Sequence, residues 1–312
     1  MTISVGSSAY KLEIKKKHAR GHPWVFRKSS PTDGFTEMLT YLRTRRKDLI
    51  EYDENHVLKI SRLRVNGSGR WIDGILVKGE AGAIQDLIDV ETAKVTYTKQ
   101  MNEAVLEPYY FRFHLEDGRP YGIALLQTWG QGGTKGALQA DMSSYFEKHD
   151  PPLTSKLTQI VDSAALELFV RQGKLQDVIL INRGKTQKSR SILAKNSVGG
   201  DHLGKEGDKL ELRLRKNWTN RALSAVVAAL RGKKRPDSVV HVGGMDTFDD
   251  LKVTLRVGSR VQMFSLLNPD DSPLKFDISE QVTYGEDGFP TFGSLRATAR
   301  EVYEDSIAPI LS

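Results

Sequence analysis

The chain has 312 residues, 39% of them hydrophobic, so it can form two domains with cores of their own and is too apolar to be disordered. It contains no cysteine, which excludes disulfides, thiolate zinc sites and cysteine nucleophiles. No apolar run is long enough to cross a bilayer and residues 1–17 lack the apolar core of a signal peptide, so we expect a cytoplasmic protein.

The first predicted elements follow a basic opening. Residues 11–20 are rich in lysine, which is typical of either a solvated tail or an arm that contacts phosphates. Residues 23–26 predict a strand. Apolar residues then recur at the spacing i, i+3, i+4, i+7, which predicts an amphipathic helix over about 35–48. These residues are Phe35, Met38, Leu39 and Leu42.

Two β-hairpins are predicted next. The first joins 57–65 to 71–77 through a turn rich in glycine, and the second joins 109–113 to 121–126. The aromatic run at 109–113 is of the kind that stacks on bases, but its acidic neighbours favour packing in a core instead. A glycine-rich loop then leads into a helix that ends at about 146.

A break at 149–152, which contains two prolines, predicts a boundary between domains 1–150 and 151–312. The residues after it fit helical spacing, although 166–170 could equally form a strand. Further strands are predicted at about 176–182, 209–215, 251–257, 261–266 and 276–282. A terminal amphipathic helix at 295–308 would either join two subunits or cover the sheet of its own domain. The fold class is therefore α+β, two domains with antiparallel sheets and a few packed helices.

Positive charge is concentrated in residues 171–235, which we call the basic block. It holds seventeen Lys and Arg against five Asp and Glu, a net charge of +12, whereas 71–170 and 236–312 carry −6 and −7. A basic surface of this kind attracts polyanions, while the acidic remainder keeps the protein soluble. In the predicted strand at 209–215, Arg213 and Arg215 alternate with leucines and so share one face.

We therefore expect the basic block to form a nucleic-acid-binding surface. A helix is predicted at about 218–231, and Arg221 lies in its first turn, where a cation opposes the helix dipole. The dipole therefore does not account for Arg221, although it does account for Arg231 at the other end. The predicted nucleic-acid-binding residues are Arg183, Lys185, Lys188, Arg190, Arg213, Arg215, Lys216, Arg221, Arg231, Lys233, Lys234 and Arg235.

Motifs for catalysis and for cofactors are absent from the sequence. The seven histidines are scattered without metal-ligand spacing, and the near match to a phosphate-binding loop at 182–186 has Ile179 where the first glycine is required. We predict no catalytic residue, no cofactor and no metal site. A metal-dependent nuclease is the enzyme class hardest to exclude, because its acidic ligands are dispersed in sequence.

Four features carry a resemblance to a known family. They are the strand and helix within 24–49, the aromatic hairpin at 109–126, the strand–helix step at 209–231, and the C-terminal order of 248–251, hairpin, 272–274 and last helix. In this combination the chain resembles the RexA family of prophage-encoded phage-exclusion proteins. The alternation of Arg213, Arg215 and Lys216 before a helix is the local match that we weight most.

The resemblance implies a two-domain α+β fold similar to that of RdgC, a DNA-binding protein associated with recombination. It also implies a homodimer that binds double-stranded DNA without sequence preference in phage exclusion, beside a RexB-like membrane protein encoded nearby, and no small-molecule substrate. The chain departs from the family in having a further strong basic concentration in the loop at 183–195. Two alternatives remain, a metal-dependent nuclease of an anti-phage defence system and a protein-interaction module with a basic face.

Overall fold

The computed structural model describes residues 4–16, 26, 33–130, 132–148, 152–160, 174–182, 210–215, 250–257, 260–265 and 274–311. For the strands between 174 and 265 the description is confined to the backbone. The chain divides into two compact units. Unit 1 comprises Met1–Thr158 and Gln281–Glu301, and unit 2 comprises Gln159–Glu280 and Val302–Ser312. The expected domains 1–150 and 151–312 stay a prediction, because compactness alone does not define an independently folding domain.

Unit 1 is built on a large sheet. Its strands are β1 Val5–Lys16, β2 Ile50–Asp53, β3 His56–Asn66, β4 Trp71–Glu80, β5 Gln85–Ile88, β6 Val95–Lys99, β7 Val105–His114, β8 Gly122–Trp129, β9 Gly132–Gly133 and β10 Leu153–Gln159. The large sheet has the order β10-β1-β8-β7-β4-β3-β2, with β9 paired to β8, while β5 and β6 form a separate two-stranded sheet. From β1 across the sheet to β2, all neighbouring strands pair antiparallel. The β3–β4 and β7–β8 pairs confirm both predicted hairpins.

The basic opening of the chain is a strand in the interior of this sheet. β1 pairs with β8 over eight residues, and Leu12 and Ile14 are fully buried. The expectation of a solvated tail or a phosphate-contacting arm at 11–20 is therefore wrong for the residues up to Lys16. Lysines occupy alternate positions with buried apolar residues, which is the period of a half-buried strand. Of the strand predicted at 23–26, only Phe26 is among the described residues.

Two helices cover one face of the sheet. They are α1 Gly34–Lys47 and α2 Lys135–Glu147, and both were predicted. Their apolar residues form one buried cluster with Leu12 of β1, Ile72 of β4 and Phe111 of β7. Because side chains alternate along a strand, the neighbours of Ile72 and Phe111 in sequence belong to the opposite face, which we call the outer face.

A buried ion pair joins the two helices. Arg45 of α1 donates from Nε and Nη2 to the two carboxylate oxygens of Asp141 on α2, at 2.7 and 2.9 Å, and the Tyr41 hydroxyl donates to the same carboxylate at 2.7 Å. The Arg45 guanidinium also lies over the rings of Tyr41 and Tyr145. Arg45, one of the three cations in the last turn of α1, thus has its partner on a second helix.

The outer face of the sheet is contacted by residues from the end of the chain. Helix α3 spans Phe292–Val302 and continues through a π-helical stretch, Tyr303–Ile307, into a last turn, Ala308–Leu311. The ring of Phe292 packs against Tyr110 of β7, with centroids 5.8 Å apart. The start of α3 therefore packs against a sheet made of N-terminal strands, whereas Val302 and the residues after it belong to unit 2. The two roles expected for the terminal helix stay predictions.

Unit 2 contains a four-stranded antiparallel sheet. Its strands are β11 Lys174–Asn182, β12 Leu210–Arg215, β13 Asp250–Val257 and β14 Arg260–Ser265, in the order β12-β11-β13-β14. A short strand, β15 Lys275–Asp277, follows. The four main strands were predicted, and only the first part of the strand expected at 276–282 is formed. Helical spacing was expected from Leu157 onwards, but residues 157–159 belong to strand β10, and residues 161–173 lie outside the described residues. The helix predicted at 218–231 lies outside the described residues.

The described parts of the chain thus form an α+β fold with mainly antiparallel strands. In those parts, no helix has the length and apolar character needed to cross a membrane.

Candidate nucleic-acid interface

Two of the twelve predicted DNA-binding residues, Arg213 and Arg215, lie on a described strand. The other ten lie outside the described residues. These ten are Arg183, Lys185, Lys188, Arg190, Lys216, Arg221, Arg231, Lys233, Lys234 and Arg235.

The strand register of unit 2 fixes the neighbours of Arg213 and Arg215. Arg215 lies directly opposite Asp177 of β11, and Arg213 lies opposite Ile179, whose other neighbour is Lys252 of β13. Glu211 is on the same face as Arg213, because it is two residues away along the strand. Opposite pairs in an antiparallel sheet share a face, so acidic residues accompany both arginines.

Acidic residues offset part of the positive charge on this face of the four-stranded sheet. By register the face holds five basic and three acidic residues, namely Lys174, Arg213, Arg215, Lys252, Arg256, Asp177, Glu211 and Asp250. The other face is mainly apolar, with Leu214, Val178, Val253 and Phe264 in one cross-strand row, although Arg260 also belongs to it. Within the basic block, β11 and β12 together contribute a net charge of only +1 of the +12. The excess positive charge therefore belongs to the segments that flank these strands.

A second concentration of arginines, which the sequence analysis missed, lies on the outer face of unit 1. The strand register puts Arg64 of β3, Asp73 of β4 and Arg112 of β7 in one cross-strand row. Arg296 of α3 reaches the same carboxylate. We call Arg62, Arg64, Asp73, Arg112 and Arg296 the arginine cluster. It contains four arginines and one aspartate, so its formal net charge is +3.

Asp73 is the centre of the arginine cluster and is completely buried. Its Oδ2 lies 3.4 Å from Arg296 Nε and 3.7 Å from Arg112 Nη1, and it accepts a hydrogen bond from the Tyr110 hydroxyl at 3.2 Å. Burial raises the pKa of the Asp73 carboxyl above its ordinary value, and the positive charge of Arg112 opposes this rise most strongly. Oδ1 of Asp73 and Nε of Arg296 have no hydrogen-bond partner among the described residues.

Aromatic rings hold the guanidinium groups of the arginine cluster in place. Arg112 and Arg296 lie 4.5 and 5.2 Å from the centre of the Trp71 ring, and Arg62 lies 4.1 Å from the centre of the Phe292 ring. Such stacking restrains an arginine while leaving its N–H groups able to bind an anion.

His114 extends the outer-face network along β7. Arg112 Nε donates to His114 Nε2 at 2.7 Å, so this ring nitrogen must be unprotonated. Burial, with a smaller effect of the Arg112 charge, lowers the pKa of His114 to about 3. His114 is thus a neutral acceptor at ordinary pH, and it fixes the orientation of the arginine that faces Asp73.

The chemistry of the arginine cluster is that of anion binding. Arg62 and Arg64 are exposed on β3, beside a buried carboxylate that neutralises only part of the positive charge. Phosphates and carboxylates are the anions that arginine binds with bidentate geometry. In the described ranges no group of three or more His, Asp or Glu side chains could hold a metal ion.

A signal for the arginine cluster was present in the sequence. Asp73 and Arg112 each interrupt an otherwise apolar strand, and a charged residue in such a position needs a partner if it is buried. The partner of each could not be read from the sequence, because it depends on strand register.

Comparison with known proteins gives no relative, since neither a protein-family model nor a curated protein matches the chain.

Proposed function

We propose that the protein is a DNA-binding protein that binds double-stranded DNA without sequence preference, as a homodimer, and acts in phage exclusion. The observation that carries the proposal is the segregation of charge, since a net +12 in residues 171–235 lies between stretches of −6 and −7. Contacts from Lys and Arg to phosphates supply most of the affinity in binding of this kind, and they carry no sequence information.

The resemblance to the RexA family supports the proposal, including its two-domain RdgC-like fold and its prophage origin. A RexB-like membrane protein encoded nearby would be its partner, and no small-molecule substrate or cofactor is needed. Because Glu211 and Asp177 accompany Arg213 and Arg215 on the four-stranded sheet, the proposal rests less on these two arginines than on the basic segments 183–195 and 231–235. The exposed Arg62 and Arg64 of unit 1 are suited to additional phosphate contacts.

Fluorescence anisotropy with two unrelated 30-base-pair duplexes tests the proposal. The protein should bind both duplexes with equal affinity, and a plot of log K against log salt should be linear with a slope of about −0.9 for each phosphate contacted. A strong preference for one duplex, or no binding to either, would contradict it.

A matched pair of variants tests the DNA-binding surface. Neutralising Lys185, Lys188 and Arg190 with Gln should weaken binding to both duplexes alike and reduce the steepness of the salt slope by up to about 2.7. The control replaces Arg43, Arg46 and Lys47, exposed at the end of α1, by Gln. It changes the net charge equally, so an equal loss of affinity in the control would show that the effect comes from net charge and not from the segment at 185–190.

Incubation with supercoiled plasmid and Mg²⁺ or Mn²⁺ separates DNA binding from a nuclease activity. We expect the plasmid to stay supercoiled. Nicking or linearisation that needs the divalent ion would favour the metal-dependent nuclease of an anti-phage defence system instead.

A further inference from the structure

A β-hairpin arm in unit 1 exposes an unusual amount of apolar surface. We define the arm as residues 84–106, which contain β5, β6 and the start of β7. Of the twelve large hydrophobic residues that are exposed in the described part of the chain, nine lie in the arm. They are Ile84, Leu87, Ile88, Val90, Val95, Tyr97, Met101, Val105 and Leu106, with exposures from 40% at Leu106 to 94% at Val90.

Hydrogen bonds order the arm from its base to its tip. At the base, the Gly82 N–H donates to the Met101 carbonyl at 2.7 Å. At the tip, the Asp89 N–H donates to the Lys94 carbonyl at 2.9 Å, and the Asp89 carboxylate accepts two further backbone N–H groups. Between them Leu87 pairs with Tyr97 across the two strands. The apolar side chains are therefore presented on a regular framework, which lowers the entropy lost when a partner binds.

The apolar area of the arm is that of a stable interface. Taken together, the exposed fractions of the nine residues equal about five fully exposed residues. This corresponds to roughly 800 Å², the area that each partner buries in a standard protein–protein interface. A monomer rarely leaves this much apolar surface in water within one short segment.

The edges of the two-stranded sheet are open as well. Among the described residues β5 and β6 pair only with each other, so each has one unpaired edge of N–H and C=O groups. Charges that would protect these edges are few, since Asp86 and Lys99 are the only charged residues of the two strands and Lys99 is buried. An open, apolar edge favours pairing with another strand.

We propose that the arm is the surface through which two copies of this chain associate. The arm carries four acidic and two basic residues, and this net charge disfavours DNA and anionic lipid as its occupants. Homodimer interfaces are the more apolar class of protein interface, and an edge strand can pair with its own copy around a two-fold axis. The inference rests on the homodimer of the proposed function, to which it assigns a surface.

Sedimentation equilibrium of the full chain at micromolar concentration tests the arm. The protomer mass is 34.9 kDa, and we expect twice this mass for the wild type. The double variant Ile88→Lys with Val90→Lys should sediment as a monomer, with a dissociation constant raised at least 100-fold. Both residues are exposed, so the fold should survive, which thermal unfolding checks. The control variant Leu49→Lys with Val65→Lys, exposed residues outside the arm, should remain a dimer.

Cross-linking gives a second readout, because the chain has no cysteine of its own. With Val90→Cys, a short bismaleimide should join two protomers, whereas Ser68→Cys in the β3–β4 turn should give no such product. A wild type that sediments as a monomer would overturn the inference. A dimer that persists in the Ile88→Lys, Val90→Lys variant would also overturn it. The absence of a cross-linked dimer with Val90→Cys would do the same.

DNA binding by the same variants separates the two proposals. A monomeric arm variant that still binds both duplexes, more weakly through lost avidity, supports both. A wild-type protein that is monomeric and binds DNA contradicts the role of the arm in dimerisation and leaves the DNA-binding proposal intact. An arm-dependent dimer that does not bind DNA supports the arm and contradicts the DNA-binding function.

Discussion

Arg296 on α3 lies 3.4 Å from the buried carboxylate of Asp73 on β4, so a residue near the end of the chain joins the arginine cluster around that carboxylate. We expect Arg296→Met to reduce the free energy of unfolding by about 2 kcal/mol, since a buried carboxylate would lose one of its cations. Loss of Arg296 also raises the pKa of Asp73 further. The reduction should therefore be larger at pH 7 than at pH 4, because Arg296 stabilises only the charged form of Asp73, and the share of that form grows as the pH rises.

Urea unfolding of wild type and variant at both pH values measures this effect. Arg46→Met removes an exposed cation from α1 and is the control, for which we expect a change below about 0.5 kcal/mol at either pH. An equal reduction at pH 4 and pH 7 for Arg296→Met would mean that the side chain stabilises by packing on Trp71 and not through Asp73.

The ion pair between Arg45 and Asp141 gives a second prediction. Arg45→Met should cost about 3–5 kcal/mol, because it leaves the Asp141 carboxylate buried with Tyr41 as its one side-chain hydrogen-bond donor among the described residues. The double variant with Asp141→Leu should regain most of this loss, since no buried charge remains. A double-mutant cycle in urea measures the coupling, and a double variant less stable than Arg45→Met would contradict the prediction.

Local patterns predicted most of the elements. Helix α1, the two hairpins and the strands of unit 2 follow from apolar spacing and turn residues, which act over a few positions. β1 was missed because its lysines were interpreted as a run of charge, although Tyr10, Leu12 and Ile14 alternate with them. The two-stranded arm was missed as well. Short strands that bury almost nothing leave little pattern to detect.

The candidate sites depended on contacts between distant segments. Asp73, Arg112 and Arg296 meet because of strand register and the course of α3, and neither can be read from local sequence. The charge balance around Arg215 likewise appears only when Asp177 is placed opposite it. The concentration of positive charge can be counted from the sequence. Whether Arg213 and Arg215 lie next to acidic residues depends on strand register.

The start of α1 gives a third prediction. Asp33 accepts the Phe35 N–H at 3.1 Å and binds the guanidinium of Arg70 through both oxygens at 2.6 and 3.1 Å. Asp33→Asn keeps an acceptor for the helix but loses the charge, whereas Asp33→Ala loses both. We expect both variants to be destabilised because Arg70 is buried, and Asp33→Ala to be worse by about 1 kcal/mol, the contribution of a helix cap. Equal stabilities in urea would show that the cap contributes nothing here.

His114 gives a prediction about pH. The pKa of His114 is lowered to about 3 in the folded protein from an ordinary value of 6.5, first by burial and then by the charge of Arg112. Between these two values the unfolded chain takes up the proton and the folded protein does not. Stability contributed by neutral His114 is therefore fully present above pH 6.5 and falls as the pH is lowered towards 3, by at most about 1.4 kcal/mol per pH unit.

Comparison with His114→Gln isolates the histidine from the carboxylates that also titrate in this range. Glutamine has no proton to gain, and its side-chain oxygen can accept the hydrogen bond that Arg112 Nε donates. Urea unfolding at pH 7, 6, 5 and 4 should show the wild type losing stability more steeply than the variant, because the carboxylates contribute equally to both. Parallel curves would mean that His114 can be protonated in the folded protein, and so that Arg112 is held towards Asp73 without its help.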